Sequence, residues 1–317
     1  MPSTTVVDGA PWALRIRTLT SLGRKSCCAA TPSKGHWGEH MQRQDDGKRA
    51  CAYCGRQRGM FSREHLMPAA LTGRVSEPLI ANVRTSRGEV AITGEPTIKD
   101  VCTACNNGPL SMLDEYAVKL YDKYFHRIVE TGDLVAFEYD FDLLARWLLK
   151  IVYNYARARN WEFNPSRELL DYVLTGAPLR TQPEVILQLI VPTKERPGVH
   201  GRIDPIDSRV GLLVPNLLLG PQFGALVAQR SYYFYLLLVA PETRRSVRER
   251  ILEKLRKQVP GAVRLSGKNR AKVYASFQDF ASHAFHSPAL IRNFMLKRPK
   301  GLEPKSWAGD ESKGRGR

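Results

Sequence analysis

The sequence predicts an α+β protein in which a small metal-stapled module precedes a domain of helices and antiparallel strands. Two Cys-x-x-Cys pairs, Cys51/Cys54 and Cys102/Cys105, bracket short segments rich in turn residues. Downstream, apolar residues first recur at three- and four-residue spacing, and short β-rich runs then alternate with Pro, Gly and Asp clusters. These three observations give the fold class.

The paired cysteines predict a structural zinc site. Four thiolates in two Cys-x-x-Cys pairs suit tetrahedral Zn²⁺, and each pair forms a knuckle around its sulfurs. Redox dithiols and core cysteines without metal are the alternatives. In a long chain without a secretion signal this usage indicates a reducing compartment, so we expect a cytoplasmic protein. The remaining cysteines of the six, Cys27 and Cys28, are adjacent in a polar segment.

Two helices are predicted after the second cysteine pair. Ser111 is a candidate N-cap with Asp114 at the third helical position, and the apolar spacing continues until Gly132. The second helix, over 141–155, is apolar around so much of its surface that we expect it to be buried and to anchor the second domain.

Antiparallel strands are predicted in the motif region and in the second domain. They are a strand at 89–92 and the runs 185–192, 210–215, 223–229 and 232–240. An amphipathic helix with a basic surface follows at 244–257, and Ser276 opens a last helix.

Composition divides the chain into four parts. We expect a disordered basic extension over 1–48, the zinc-bound module with its following helix over 49–132, an accessory or target-binding α+β domain over 135–294, and a disordered basic tail over 295–317.

The charge balance favours a polyanionic partner. The chain has 48 Lys and Arg against 31 Asp and Glu, a formal net charge of +17. Basic surfaces bind phosphates with release of counterions, so nucleic acid is the leading candidate, although a solvated basic surface would give the same count. The sequence has no apolar run of the roughly 18 residues that span a bilayer, so we expect no membrane segment.

The strongest motif lies between the cysteine pairs. It reads Ser62-Arg63-Glu64-His65-Leu66-Met67-Pro68, and the second cysteine pair is followed directly by Asn106. Taken together, the two cysteine pairs, the acid-His-x-x-Pro element and the Asn resemble the zinc-bound subgroup of the HNH endonucleases, also called ββα-metal nucleases. The resemblance covers about residues 51–115.

This resemblance implies a role for each matching residue. His65 would be the general base that activates water against a phosphodiester. Glu64 and Asn106 would hold a catalytic Mg²⁺ or Mn²⁺, chemically distinct from the thiolate-bound zinc. The family's middle Asn has no match before the second cysteine pair, where Thr97 or Asp100 would have to replace it; Asn82 is a remote candidate.

Basic residues near the motif are candidates for phosphate contacts, since Arg offers a planar fork for phosphate. We select Arg63 and Arg58 because they are closest in sequence to the reactive strand. A solvated face is the alternative for both.

The expected function is a metal-dependent endonuclease that hydrolyses nucleic acid, with DNA preferred over RNA. A zinc-stabilised nucleic-acid-binding protein without turnover, or a zinc-dependent interaction module, would share the same fold. The departure at the middle Asn favours the binding protein, and the presence of Glu64, His65 and Asn106 favours the enzyme.

Overall fold

Helices and antiparallel strands make up the protein, which confirms the predicted α+β class. The computed structural model describes residues 50–57, 59–74, 80–85, 88–93, 97–159, 163–193, 209–212 and 222–275. The predicted extension over 1–48, the tail over 295–317 and the helix from Ser276 lie outside these residues. No helix in the described ranges is long and apolar enough to cross a membrane.

The motif region consists of short elements. They are β1 (Phe61–His65), α1 (Ala69–Thr72), β2 (Ile80–Thr85), β3 (Gly88–Thr93), β4 (Thr97–Cys102) and α2 (Thr103–Cys105). β1 pairs antiparallel with β4, and β2 with β3 forms a separate hairpin, which contains the strand predicted at 89–92. The β2–β3 hairpin therefore interrupts the chain between the two strands that carry the motif.

The helix after the second cysteine pair begins earlier than the sequence predicts. After α2 the chain kinks at Gly108 (φ −107°, ψ −107°) within the turn Asn106–Leu110, and it then continues through α3 (Ser111–Leu120) into a π-helical turn (Tyr121–Phe125). Leu110 and Ser111 both have helical φ and ψ. The expectation of an N-cap at Ser111 was therefore wrong, because the helix starts between the kink and Ser111.

The second half of the described chain supplies a sheet and three further helices. Its elements are β5 (Leu134–Glu138), α4 (Phe141–Arg159), α5 (Arg167–Thr175), β6 (Glu184–Leu189), β7 (Arg209–Leu212), β8 (Gln222–Gln229), β9 (Tyr232–Val239), α6 (Arg245–Gln258), β10 (Val263–Arg264) and β11 (Arg270–Tyr274). Five strands form one antiparallel sheet in the order β10-β6-β9-β8-β7, and β5 pairs with β11 in a separate sheet. The four apolar runs predicted β6, β7, β8 and β9; they did not predict β10 or the order of the strands.

The two faces of this sheet are buried against different partners. In β9, Tyr232, Phe234 and Leu236 belong to the large core that also contains the apolar side of α4. Tyr233 and Tyr235 belong to a second core with the apolar residues of α6. Alternate residues of a strand point to opposite faces, so a continuous apolar run fits a strand that is covered on both sides.

The large core is continuous across the domain boundary predicted at 132–135. It contains Cys51 and Cys105 from the motif region together with Phe125, Trp147 of α4 and Phe234 of β9. The described residues all belong to one compact unit, Gly47–Arg317. The motif region and the sheet thus share buried apolar contacts, with α4 between them.

Candidate metal centre and active site

The four cysteines of the two pairs come together in space. Their sulfur atoms all lie within 4.8 Å of one another, and Cys54 Sγ is 3.7 Å from Cys102 Sγ. A tetrahedron with zinc–sulfur bonds of about 2.3 Å has sulfur–sulfur edges of about 3.8 Å, so the spacing fits zinc. The predicted zinc ligands Cys51, Cys54, Cys102 and Cys105 therefore form a cluster that can hold a metal ion.

Backbone turns set the sulfur positions. The Gly55 N–H donates to the Cys51 carbonyl at 2.8 Å, and Gly55 has a φ of 70°, a conformation that favours glycine. The Ala52 N–H donates to the Asp100 carbonyl at 2.9 Å, which ties the first knuckle to β4. These two hydrogen bonds fix the backbone of the first knuckle, which carries Cys51 and Cys54.

The protein surroundings favour the thiolate form at Cys51. Burial acts to raise the pKa of its thiol, but backbone N–H groups outweigh burial and lower the pKa to about 7. One of these donors is the Cys102 N–H, 3.4 Å from Cys51 Sγ. The Cys105 thiol has a pKa well above its usual range, because it is buried among the other sulfurs. Neighbouring thiolates repel one another, and a bound cation would offset that repulsion.

His65 lies at the end of β1, opposite Thr97 of β4. The pairing of the two strands shifts register between Ser62 and Glu64, so the ladder is irregular just before the histidine. The His65 carbonyl accepts a hydrogen bond of 3.0 Å from Asn154 Nδ2 on α4. A helix outside the motif therefore contacts the backbone of the candidate base.

Glu64 is buried, with 2% of its surface exposed. Its Oε1 lies 2.9 Å from Lys150 Nζ and accepts a second hydrogen bond of 2.9 Å from Asn154 Nδ2. The resemblance implied that this carboxylate holds a divalent cation, but here it faces α4 and binds an ammonium. Among the described residues, the four cysteines alone form a converging group of metal ligands. A carboxylate oxygen that is already bound by an ammonium and an amide N–H is not arranged to bind Mg²⁺.

Asp114 shares Lys150 with Glu64. Lys150 Nζ is 2.5 Å from Asp114 Oδ1, and the lysine is 1% exposed. Burial raises the pKa of Asp114 to about 6; Lys150 acts to lower it, Glu64 to raise it and His65 to lower it. The sequence-based role of Asp114 as a capping residue was wrong, because its carboxylate bonds across to α4.

Asn106 connects the start of the helical segment to β1. Its Nδ2 donates to Ser62 Oγ at 2.9 Å and to the Arg63 carbonyl at 3.0 Å. Its amide oxygen has no hydrogen-bond partner within the described ranges, so it is the part of Asn106 that remains for a ligand. The structure thus brings Asn106, β1 and the fourth cysteine together.

Of the other residues predicted for the site or for phosphate binding, the structure describes the side chains of Arg63 and Asp100. Arg63 is exposed on β1. Arg58 and the side chain of Asn82 lie outside the described part of the chain. Asp100 pairs with Arg157 Nε at 2.8 Å, which makes it a partner of α4.

The sequence analysis missed the polar residues of α4. Lys150 and Asn154 are one turn apart in a helix whose neighbouring residues are apolar, and both are buried. Polar residues at a spacing of four on an apolar helix face are a usable signal, because buried polar groups require partners. What the spacing does not give is the identity of those partners, Glu64 and His65.

Comparisons with protein-family models, with curated proteins and with solved structures find no match to this chain.

Proposed function

We propose that this chain is a nuclease that hydrolyses phosphodiester bonds of nucleic acid, DNA being the expected substrate, with His65 as the general base. The observation that carries the proposal is the arrangement of β1 and β4. The two strands pair antiparallel, the helical segment follows β4 directly, and the cysteine cluster joins them while His65 ends β1. The HNH resemblance implies the same order of two strands and a helix.

The proposed reaction requires few groups. A neutral imidazole of His65 accepts a proton from water as the water oxygen attacks phosphorus, and the bond from phosphorus to the leaving ester oxygen breaks. The leaving oxygen then takes a proton from solvent. Arg63, exposed on the same strand, is available to bind a neighbouring phosphate. Cys51, Cys54, Cys102 and Cys105 would hold a zinc ion, which would join the two knuckles and support this site structurally.

A binding protein without turnover is the second candidate function. The observation that favours it is the ion pair between Glu64 and Lys150, which engages the carboxylate expected to hold a catalytic cation. In that case the basic surface would bind nucleic acid and the zinc would stabilise the fold.

A cleavage assay separates the two candidates. Purified protein is incubated with supercoiled plasmid and with single-stranded DNA and RNA, in Mg²⁺, in Mn²⁺ or in EDTA. We expect cutting that falls at least about a hundredfold in His65→Ala, because removal of a general base costs about 10²–10⁴ in rate. His126→Ala is the matched control, since His126 is exposed and lies beyond α3. Both variants must retain zinc.

Binding of these substrates without cutting in any metal condition would favour the second candidate. Equal cutting by the wild type and His65→Ala would remove His65 from the mechanism. Cutting in EDTA by protein that retains its zinc would show that no added divalent cation is required.

A further inference from the structure

We infer that Asn154 of α4 is a positioning residue that fixes the backbone of His65 and the carboxylate of Glu64. The inference rests on the proposed function, because it assigns to α4 the orientation of the proposed base. It makes a helix that lies far along the chain from the cysteine motif part of the reactive site.

The amide of Asn154 uses its full hydrogen-bonding capacity. Nδ2 donates to Glu64 Oε1 at 2.9 Å and to the His65 carbonyl at 3.0 Å. Oδ1 accepts from the Tyr53 hydroxyl at 2.7 Å and from Arg157 Nη2 at 3.0 Å. A side-chain amide offers two N–H donors and two lone pairs, and each has a partner here. Asn154 is also completely buried.

The surrounding groups allow one orientation of this amide. Rotation by 180° would place Oδ1 against the Glu64 carboxylate and the His65 carbonyl, and Nδ2 against Arg157 Nη2. A guanidinium has donors and no acceptor, so Arg157 can only face Oδ1. Arg157 is held in turn by Asp100 and lies over the ring of Tyr153, 4.1 Å from its centroid. The two N–H groups of Asn154 must therefore face β1.

This contact lies beside the irregular part of the strand ladder. The pairing of β1 with β4 shifts register before Glu64, and the chain turns toward α1 soon after His65. A hydrogen bond to the His65 carbonyl limits the rotation of the backbone that carries the imidazole. The Tyr53 hydroxyl donates to the opposite side of the same amide, which Arg157 Nη2 also holds, so the contact with the His65 carbonyl does not depend on Tyr53 alone.

The test compares two ways of disturbing one amide. Asn154→Asp keeps the shape of the side chain and removes both donors toward β1. The matched control, Tyr53→Phe, removes a buried hydrogen bond to the same amide and leaves the donors in place. Zinc content and thermal unfolding establish that each variant is folded. Asn154→Ala, which adds no charge, replaces the Asp variant if that variant does not retain zinc.

Two measurements are made on each variant. The first is hydrogen exchange of the backbone amides of residues 61–71, which requires no activity. The second is the single-turnover cleavage rate at saturating protein, with DNA affinity measured separately. For Asn154→Asp we expect faster exchange at 65–67 and a rate at least about tenfold lower, with affinity within about twofold, since misplacing a reactive group by about 1 Å costs about 10²-fold. For Tyr53→Phe we expect less than about a threefold change.

Each outcome decides one question. If the wild type cuts and Asn154→Asp cuts as fast as Tyr53→Phe, the positioning role is overturned while the nuclease assignment stands. If the wild type does not cut, the nuclease assignment fails, and hydrogen exchange alone decides whether Asn154 fixes this backbone. Unchanged exchange at 65–67 overturns the inference in either case.

Discussion

At the scale of single residues, the main feature is one buried ammonium that pairs with two carboxylates, one of them on β1. Lys150 supplies one ammonium to two carboxylates, those of Glu64 and Asp114. Glu64 is almost fully buried, whereas Asp114 retains 27% of its side-chain exposure. One negative charge is left over when both carboxylates are ionised. Glu64 accepts a further hydrogen bond from Asn154 Nδ2, whereas burial raises the pKa of Asp114, so Asp114 is the group expected to take up a proton.

The Asp114 carboxyl predicts a pH dependence of stability. Its pKa rises from 3.8 to about 6 on folding, mainly through burial. The folded protein therefore binds this proton more tightly than the unfolded chain. The stabilisation is fully present below about pH 3.8, and it is lost as the pH rises through about 6.

Denaturant unfolding of the wild type and of Asp114→Asn measures this effect. We expect the wild type to lose up to about 3 kcal/mol of unfolding free energy relative to the variant between pH 4 and pH 6.5. An advantage of the wild type that grows with pH would contradict this, because it would mean that the ion pair lowers the Asp114 pKa.

At the scale of elements, the two cysteine knuckles lie where β1, β4 and the helical segment meet. Each knuckle contributes two sulfurs, and the Thr103 N–H donates to the Met60 carbonyl at 2.9 Å at the base of the strand pair. Because β1 and β4 are short, a metal ion held by the four cysteines would add to the stability that this region gains from the large core. Metal loss should therefore act on these elements before it acts on the five-stranded sheet.

Zinc removal gives the element-scale prediction. We expect one zinc per chain, lost in Cys102→Ser and retained in Cys27→Ser, since Cys27 belongs to neither Cys-x-x-Cys pair. Without zinc, backbone amides of 61–65 and 97–105 should exchange faster while those of β6 and β9 keep their protection, since metal binding is coupled to local folding. Metal analysis and hydrogen exchange measure these effects. Retention of zinc by Cys102→Ser would exclude the four-sulfur site.

At the scale of the whole molecule, α4 connects the motif to the sheet. Its apolar side enters the large core with β9, while Lys150 and Asn154 reach β1 and Arg157 reaches Asp100 of β4. A polar helix face in a buried position is stable only while its partners are present. The motif region and the downstream segment should thus depend on each other for folding.

A fragment experiment tests this dependence. A fragment of residues 47–132 ends at the boundary that the sequence predicts and lacks α4. We expect it not to unfold cooperatively even with zinc, whereas the chain from 47 to 317 does, as seen by circular dichroism and by dispersion of amide resonances. Cooperative unfolding of the short fragment would establish the motif region as an independent domain.

The sequence by itself determined the fold class, the four cysteines that can hold a metal ion and four strands of the large sheet. The cysteine pairs identify the cluster because their spacing is a local property, and the apolar runs identify the strands because burial on both faces leaves a continuous pattern. The start of the helix was placed too late, at Ser111, since the kink at Gly108 that precedes it has no spacing signal of its own.

Only the tertiary structure decided what surrounds Glu64 and His65. Lys150 and Asn154 approach them from a helix about ninety residues away in the chain, and their partners are fixed by how α4 packs. Local patterns report which residues are buried or capped. They do not report which buried charges pair, because pairing depends on contacts between segments that are distant in the chain. A carboxylate that is removed from water requires such a partner.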